Sequence, residues 1–192
     1  MSDISIIISV HNSESVIERT LRSCTYQSLS KTKYDIIVVD DGSIDATSSI
    51  IRNFNEDICI ISNSKHIGEQ KSFIHGVRQA KTRYVVRVDS DDYLHPDFLL
   101  LLHSYLEFNA EMQAVAADYI VVDDKEQHLN RKNFSEVPID QGIMYRKDKL
   151  IELGLYNNNS GINENKGLRS RFEQNWEIYR VPLPLYRHMP KE

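Results

Sequence analysis

The first hundred residues alternate between short apolar runs and stretches whose apolar positions recur every three or four residues. Ile4 to Val10 is almost continuously apolar, the pattern of a strand buried on both faces in the middle of a parallel sheet. His11, Asn12 and Ser13 make a turn, and Ser15 with Glu18 has the spacing of a capping box that would open a helix. Val16, Ile17, Leu21 and Cys24 follow at helical spacing, so that helix is expected to cover the sheet. After the polar break Ser28 to Lys33 the alternation repeats. It gives a strand at Tyr34 to Val39, a helix around Ile50, Ile51 and Phe54, and a strand at Ile58 to Ile61. A helix through Phe73, Ile74, Val77 and Ala80 then leads to a strand at Tyr84 to Val88. Strand and helix in this order predict an α/β fold, a doubly wound, mostly parallel twisted sheet with helices on both faces.

The second half is less regular. Pro96 begins a strongly apolar helix through Phe98, Leu102, Leu106 and Phe108, expected to be largely buried. Ala114 to Val122 reads as a strand, Asp123 to Lys125 as a hairpin turn, and the pattern from Asn130 to Gln141 is weak. Gly142 to Arg146 reads as a short strand, Lys147 to Leu153 and Lys166 to Phe172 as small helices, and Glu177 to Val181 as a last strand. Tyr156 to Asn165 has no periodicity and is expected to be a loop.

The chain has 192 residues, of which 41% are hydrophobic, enough for one domain with a substantial core. The expected division is a single domain over 1–192, with a ligand-binding half at 1–110 and a second half at 111–192. A net charge of −5 gives no general attraction to nucleic acid. Cys24 and Cys59 both lie in apolar segments without metal-ligand spacing, and are expected to be buried free thiols of a reduced compartment. No apolar run is long enough for a transmembrane segment and no signal peptide is evident, so a cytoplasmic location is expected.

The acidic residues are clustered. The strand at Tyr84 runs into Asp89, Ser90, Asp91 and Asp92, and the strand at Tyr34 into Asp40 and Asp41. Right-handed crossovers would bring both pairs, with Ser9, to the carboxyl edge of the sheet, where ligands bind in open α/β folds. Carboxylates this close repel one another unless a cation sits among them, and hard oxygen ligands suit magnesium or manganese. The same four residues also fit a solvated acidic turn capping the helix near Pro96. No Gly-x-Gly-x-x-Gly follows the first strand and no Gly-Lys-Ser or Gly-Lys-Thr occurs, so a bound phosphate would be neutralised by a metal rather than by a glycine-rich cradle.

Three motifs in order, Ser5-Ile-Ile-Ile-Ser-Val-His-Asn12, Val39-Asp-Asp-Gly-Ser-Ile-Asp45 and Val88-Asp-Ser-Asp-Asp92, resemble the family 2 glycosyltransferases of GT-A fold. The likeness continues more faintly through Glu152-Leu-Gly-Leu-Tyr156 and Leu168 to Arg171. It implies sugar transfer with inversion from a nucleoside-diphosphate sugar, UDP-linked, to a glycan or lipid-linked acceptor in surface polysaccharide synthesis, with Mn2+ or Mg2+. The nucleotide contacts it implies are Ser9, Val10, Asp40, Asp41, Lys71, Asp89 and Ser90, with Asp41 on the base. The implied metal ligands are Asp91 and Asp89, and Asp92 takes either role or caps the next helix. The catalytic pair falls on Glu164 and Asn165, where the family carries Glu-Asp. An asparagine cannot take a proton at neutral pH, so Glu164 or another carboxylate would serve, or the chain is a weak relative working through a partner. Phe73 and Ile74 stand where the family has arginine and asparagine, leaving Lys71, Arg78 or Arg87 to supply the lost contact. Trp176, Tyr145, Tyr156 and Tyr186 fit either acceptor stacking or core packing. His66, His75 and His188 read as isolated surface or satisfied residues. The basic residues Arg169, Arg171, Arg180, Arg187 and Lys191 fit a solvated surface, an anionic acceptor, or peripheral contact with the inner membrane face. Oligomerisation to complete the acceptor site is also compatible.

Overall fold

The computed structural model describes residues 2–54, 56–154 and 167–190. Strand β1 (Ile4–Val10) is buried at every position and lies between β2 (Tyr34–Asp40) and β4 (Tyr84–Asp89), both parallel to it. Strand β3 (Cys59–Ser62) extends the parallel block beyond β2. The helices α1 (Ile17–Thr25), α2 (Thr47–Arg52) and α3 (Glu69–Gln79) make the crossovers. Side chains alternate across β1, as a strand requires. Ile6 and Ile8 pack in the core with α1, while Ile7 faces the core under α3.

Beyond β4 the sheet becomes mixed. A two-residue strand β5 (Tyr93–Leu94) and helix α4 (Phe98–Phe108) precede β6 (Ala114–Val122), β7 (His128–Lys132) and β8 (Ile143–Arg146). Helices α5 (Lys147–Glu152) and α6 (Leu168–Phe172) lead to β9 (Ile178–His188). The strand order is β3-β2-β1-β4-β8-β6-β9-β5, with β7 paired to β6. β8 is antiparallel to both β4 and β6, and β6 runs parallel to β9. Most paired residues are thus in parallel register, as expected, but the sheet curls through an antiparallel insertion that the strand and helix alternation did not reveal.

Several local expectations are corrected. The capping box does not form: α1 starts at Ile17, the Ser13 carbonyl accepts from Val16 and Ile17, and Glu18 pairs with Arg22 at 2.5 Å. Helix α4 buries Phe98, Leu99, Leu102 and Leu106 but leaves Leu100, Tyr105 and Phe108 exposed, because only one face of it meets the sheet. Strand β9 continues past Val181 through Pro182 and Pro184, and the register with β6 shifts there, as a residue without an N–H requires. Cys24 is buried, whereas Cys59 is exposed, because β3 is an edge strand. Among the described residues no helix is long and apolar enough to cross a membrane.

Candidate active site

The sheet register sets the site. Ser9 stands opposite Val39 on one side and Asp89 on the other, and Val10 stands opposite Asp40. The ends of three parallel strands therefore bring both acidic motifs to one edge. They border a cleft of about 610 Å3, lined among others by Ser9, Val10, Asp41, His66, Ser90 and Asp91. The Ser9 hydroxyl is buried without a hydrogen-bond partner among the described residues, which leaves one polar atom of the wall to be satisfied by a ligand or water.

At the β2 end, Asp41 is 1% exposed and is held by four donors. Asn63 Nδ2 (2.8 Å) and the Ile67 N–H (3.0 Å) reach one oxygen, while the Gly68 N–H (2.8 Å) and His66 Nδ1 (2.9 Å) reach the other. Burial raises its pKa, but the hydrogen bonds from Asn63, Ile67 and Gly68 outweigh burial and leave it below the usual carboxylate range. Asp41 thus anchors the β3–α3 turn as well as lining the cleft. The His11 ring lies 4.1 Å from that of His66, and His11 Nδ1 is 2.9 Å from the Asp41 carbonyl oxygen. His66 is therefore neither isolated nor distant from the site. Asp40 accepts from the Ser43 N–H at 3.0 Å and from the Ser48 hydroxyl. Its carboxylate is spent on the turn and does not line the cleft.

At the β4 end, the ligand oxygens of Asp89, Asp91 and Asp92 lie within 4.8 Å of one another. They are not equivalent. Asp92 is fully buried and accepts from Tyr186 Oη (2.6 Å), the Met189 N–H (2.8 Å) and His188 Nδ1 (3.2 Å). Burial drives its pKa up against those contacts. It ties β9 to this edge and caps no helix, since α4 has no side-chain cap. Asp89 accepts from Arg87 Nε at 3.1 Å and from Gln141 Nε2. Asp91 is half-buried in the cleft wall, and its carboxylate accepts no hydrogen bond from a described residue, while its carbonyl takes Arg19 Nη2 at 2.6 Å. A carboxylate with no hydrogen bond from a described residue beside a second one, Asp89, fits Mg2+ or Mn2+, which bind through one or two carboxylates and complete their shells with phosphate and water.

Arg87 is the cation that composition alone did not locate. Arg87 is 7% exposed, and its guanidinium bridges Asp89 to Glu69, at 3.2 Å from Nη2. Desolvation would lower its pKa, but Asp89, Glu69 and Asp140 hold it above the ordinary value. The signal was one arginine inside an otherwise apolar strand. Phe73 and Ile74 are buried in the core under α3, so they make no polar contact in place of the expected arginine and asparagine. Lys71 is exposed on α3 and does not line the cleft. Ser90 does, with its hydroxyl 2.9 Å from that of Ser13. Glu164, Asn165, Tyr156 and Lys191 lie outside the described residues. Tyr145 and Tyr186 are core residues, and Trp176 packs on Phe172. Of the basic residues, Arg180 pairs with Asp118, Arg169 lies against Glu173 and Asp140, and Arg187 donates to the Pro184 and Tyr186 carbonyls. Gln141 and Glu69 carry no sequence signal of their own, and His11, although inside the first motif, reads there only as part of a turn.

The profile described as Glycosyl transferase family 2 matches residues 5–175. A poly(ribitol-phosphate) beta-glucosyltransferase of Bacillus spizizenii is 34% identical over 110 residues, 55% of this chain and 17% of that protein. The poly(ribitol-phosphate) beta-N-acetylglucosaminyltransferase TarS of Staphylococcus aureus is 32% identical over 104 residues, 52% of this chain and 18% of that protein. The chain thus spans under a fifth of the length of these two relatives. Among solved structures, TarS 1–349 of S. aureus in complex with UDP superposes with a TM-score of 0.79 at 19% identity, covering 98% of this chain and 61% of that one. The mannosyltransferase PcManGT of Pyrobaculum calidifontis, in complex with GDP-Man and Mn2+, gives 0.74 at 17% identity, covering 96% and 56%. These likenesses show a shared GT-A fold.

Proposed function

The chain belongs to glycosyl transferase family 2, and on that footing we propose that it is a metal-dependent enzyme moving a sugar from a UDP-sugar to an acceptor hydroxyl with inversion. The observation that carries this reading is that Asp41 and Asp91, fifty residues apart in sequence, line one cleft with Ser9 between them. The nucleotide base sits at the Asp41 end, against His11 and His66, where a carboxylate or histidine nitrogen can meet a pyrimidine edge. The ribose and diphosphate run past Ser9, Val10 and Ser90 towards Asp91.

Asp91 with Asp89 would hold Mn2+ or Mg2+, which when bound supplies Lewis-acid stabilisation of the charge on the departing diphosphate. The chain's own groups do the rest. Arg87 neutralises Asp89 and Glu69, Asp92 fixes the loop that carries Asp91, and a carboxylate on the far side of the sugar takes the acceptor proton. The relatives named for poly(ribitol-phosphate) support a hydroxyl of an anionic surface polymer or its lipid-linked precursor as acceptor. A single domain, a cytoplasmic site of action with peripheral contact at the membrane, and assembly with a second copy or a partner belong to the same proposal.

The experiment is titration calorimetry of UDP with and without Mn2+. Binding that needs the metal supports the reading, and equal affinity without metal counts against it. Asn165 favours a second reading, a catalytically weak sugar-nucleotide binder. Sugar transfer on restoring Asn165→Asp in an otherwise silent chain would support that alternative.

A further inference from the structure

We propose that Asp140 is the general base that deprotonates the acceptor hydroxyl, an assignment that rests on the sugar-transfer reading above. The carboxylates at the carboxyl ends of β2 and β4, and on the segments packed against those ends, divide by what already holds them. Asp41 receives four donors and Asp92 three. Asp89 and Glu69 are engaged by Arg87, and Asp91 faces the cation position. Asp140 stands at the end of this chain of contacts. Gln141 donates to Asp89, and the Gly142 N–H donates to the Arg87 carbonyl at 3.0 Å, so the segment entering β8 is pinned across the end of β4. The Asp140 side chain is 36% exposed and accepts no hydrogen bond from a described residue. Among the described residues its ion-pair partner is Arg169, whose Nε is 3.6 Å away, too long for a hydrogen bond, so its lone pairs remain available to an incoming hydroxyl.

Gly167 supplies a second observation. A β-carbon at Gly167 would stand 2.5 Å from Asp140 Oδ2, so the carboxylate fills the space a side chain would need at the start of α6. Gly167 is two positions after Asn165 in the sequence, the position where an asparagine replaces a proton acceptor. Asp140 therefore presents a carboxylate beside the start of α6 from a different element. In the reaction, the acceptor oxygen bonds to the anomeric carbon as its proton passes to Asp140. The bond from that carbon to the donor phosphate oxygen breaks, and its electron pair leaves with the nucleoside diphosphate.

The test measures UDP release from UDP-glucose and UDP-N-acetylglucosamine with Mn2+, to poly(ribitol phosphate) and to water, for wild type, Asp140→Asn, Asp140→Glu, Glu164→Gln and the surface control Asp124→Asn. D140N should lower kcat by about 100-fold or more, abolish the acid limb of the kcat profile, and leave donor KM and UDP affinity within about twofold. D140E should regain part of the rate with the limb restored, and it decides the matter if D140N fails to fold. D124N should behave as wild type. Unchanged kcat in D140N, a loss of UDP affinity matching the loss of rate, or removal of the limb by E164Q instead would overturn the assignment. So would a wild-type chain that binds UDP with Mn2+ but releases none from either donor. A wild-type chain that fails to bind UDP at all sinks the sugar-transfer reading itself.

Discussion

Tyr186 donates its hydroxyl to Asp92 at 2.6 Å, joining residues 94 positions apart in the sequence. Both are buried, and the bond latches β9 to the loop that carries Asp91. Removing the donor leaves a buried carboxylate short of one partner. Tyr186→Phe should therefore cost about 1–3 kcal/mol in urea unfolding, and an unchanged midpoint would show the latch to be incidental.

Asp91 behaves in the opposite way. Its carboxylate takes no hydrogen bond from a described residue, so the fold loses little without it. Asp91→Ala should abolish Mn2+-dependent UDP binding in calorimetry while unfolding free energy stays within about 0.5 kcal/mol of wild type. A variant that still binds UDP with Mn2+ would remove Asp91 from the cation site.

Asp118 gives a prediction in pH. It is buried and accepts both Arg180 Nε and Nη2 at 2.7 Å, Arg131 Nη2 at 2.9 Å and the Phe134 N–H at 3.1 Å. Burial raises its pKa, but Arg180 and Arg131 outweigh burial and bring it from 3.8 to about 2. The folded value lies below the unfolded one, so this stabilisation is complete above the unfolded value of 3.8 and is lost as pH falls towards 2. Asp118→Asn should lower stability at pH 7 by about 3 kcal/mol. The gap from wild type should narrow in acid melts, and a gap that stays constant down to pH 2 would contradict the assignment.

Gly42 has a φ of +71°, and a β-carbon there would meet the Lys65 carbonyl carbon at 2.7 Å and the His66 nitrogen at 2.8 Å. Those are backbone atoms of the turn that places His66 on Asp41. Gly42→Ala should cost about 1–3 kcal/mol and weaken UDP binding in parallel, read by thermal melts with and without UDP. Wild-type values in both would show that the turn can shift freely.

The parallel half of the fold was legible because its strands are buried on both faces and write themselves as apolar runs, Ile4 to Val10 most plainly. Topology then brings Ser9, Asp41 and Asp91 to one edge from the sequence pattern alone. What stayed hidden depends on partners rather than on pattern. Asp40 and Asp41 look alike in sequence, yet one folds a turn and the other faces the cleft, and only the donors around them decide it. β5 and β7 are short or exposed and leave little periodicity. The reach of β9 through two prolines needs a register shift that no local rule announces, and Arg87 reads as a mere interruption until Asp89 and Glu69 are seen on either side of it.

The two thiols occupy opposite chemical worlds. Burial pushes Cys24 up to about 12, so it offers almost no thiolate at neutral pH, whereas Cys59 is open to solvent at the start of an edge strand. A maleimide dye should therefore mark the native molecule once, on the edge strand β3, at a residue that does not line the cleft. That gives a fluorescent handle for following nucleotide capture without disturbing the groups that perform it.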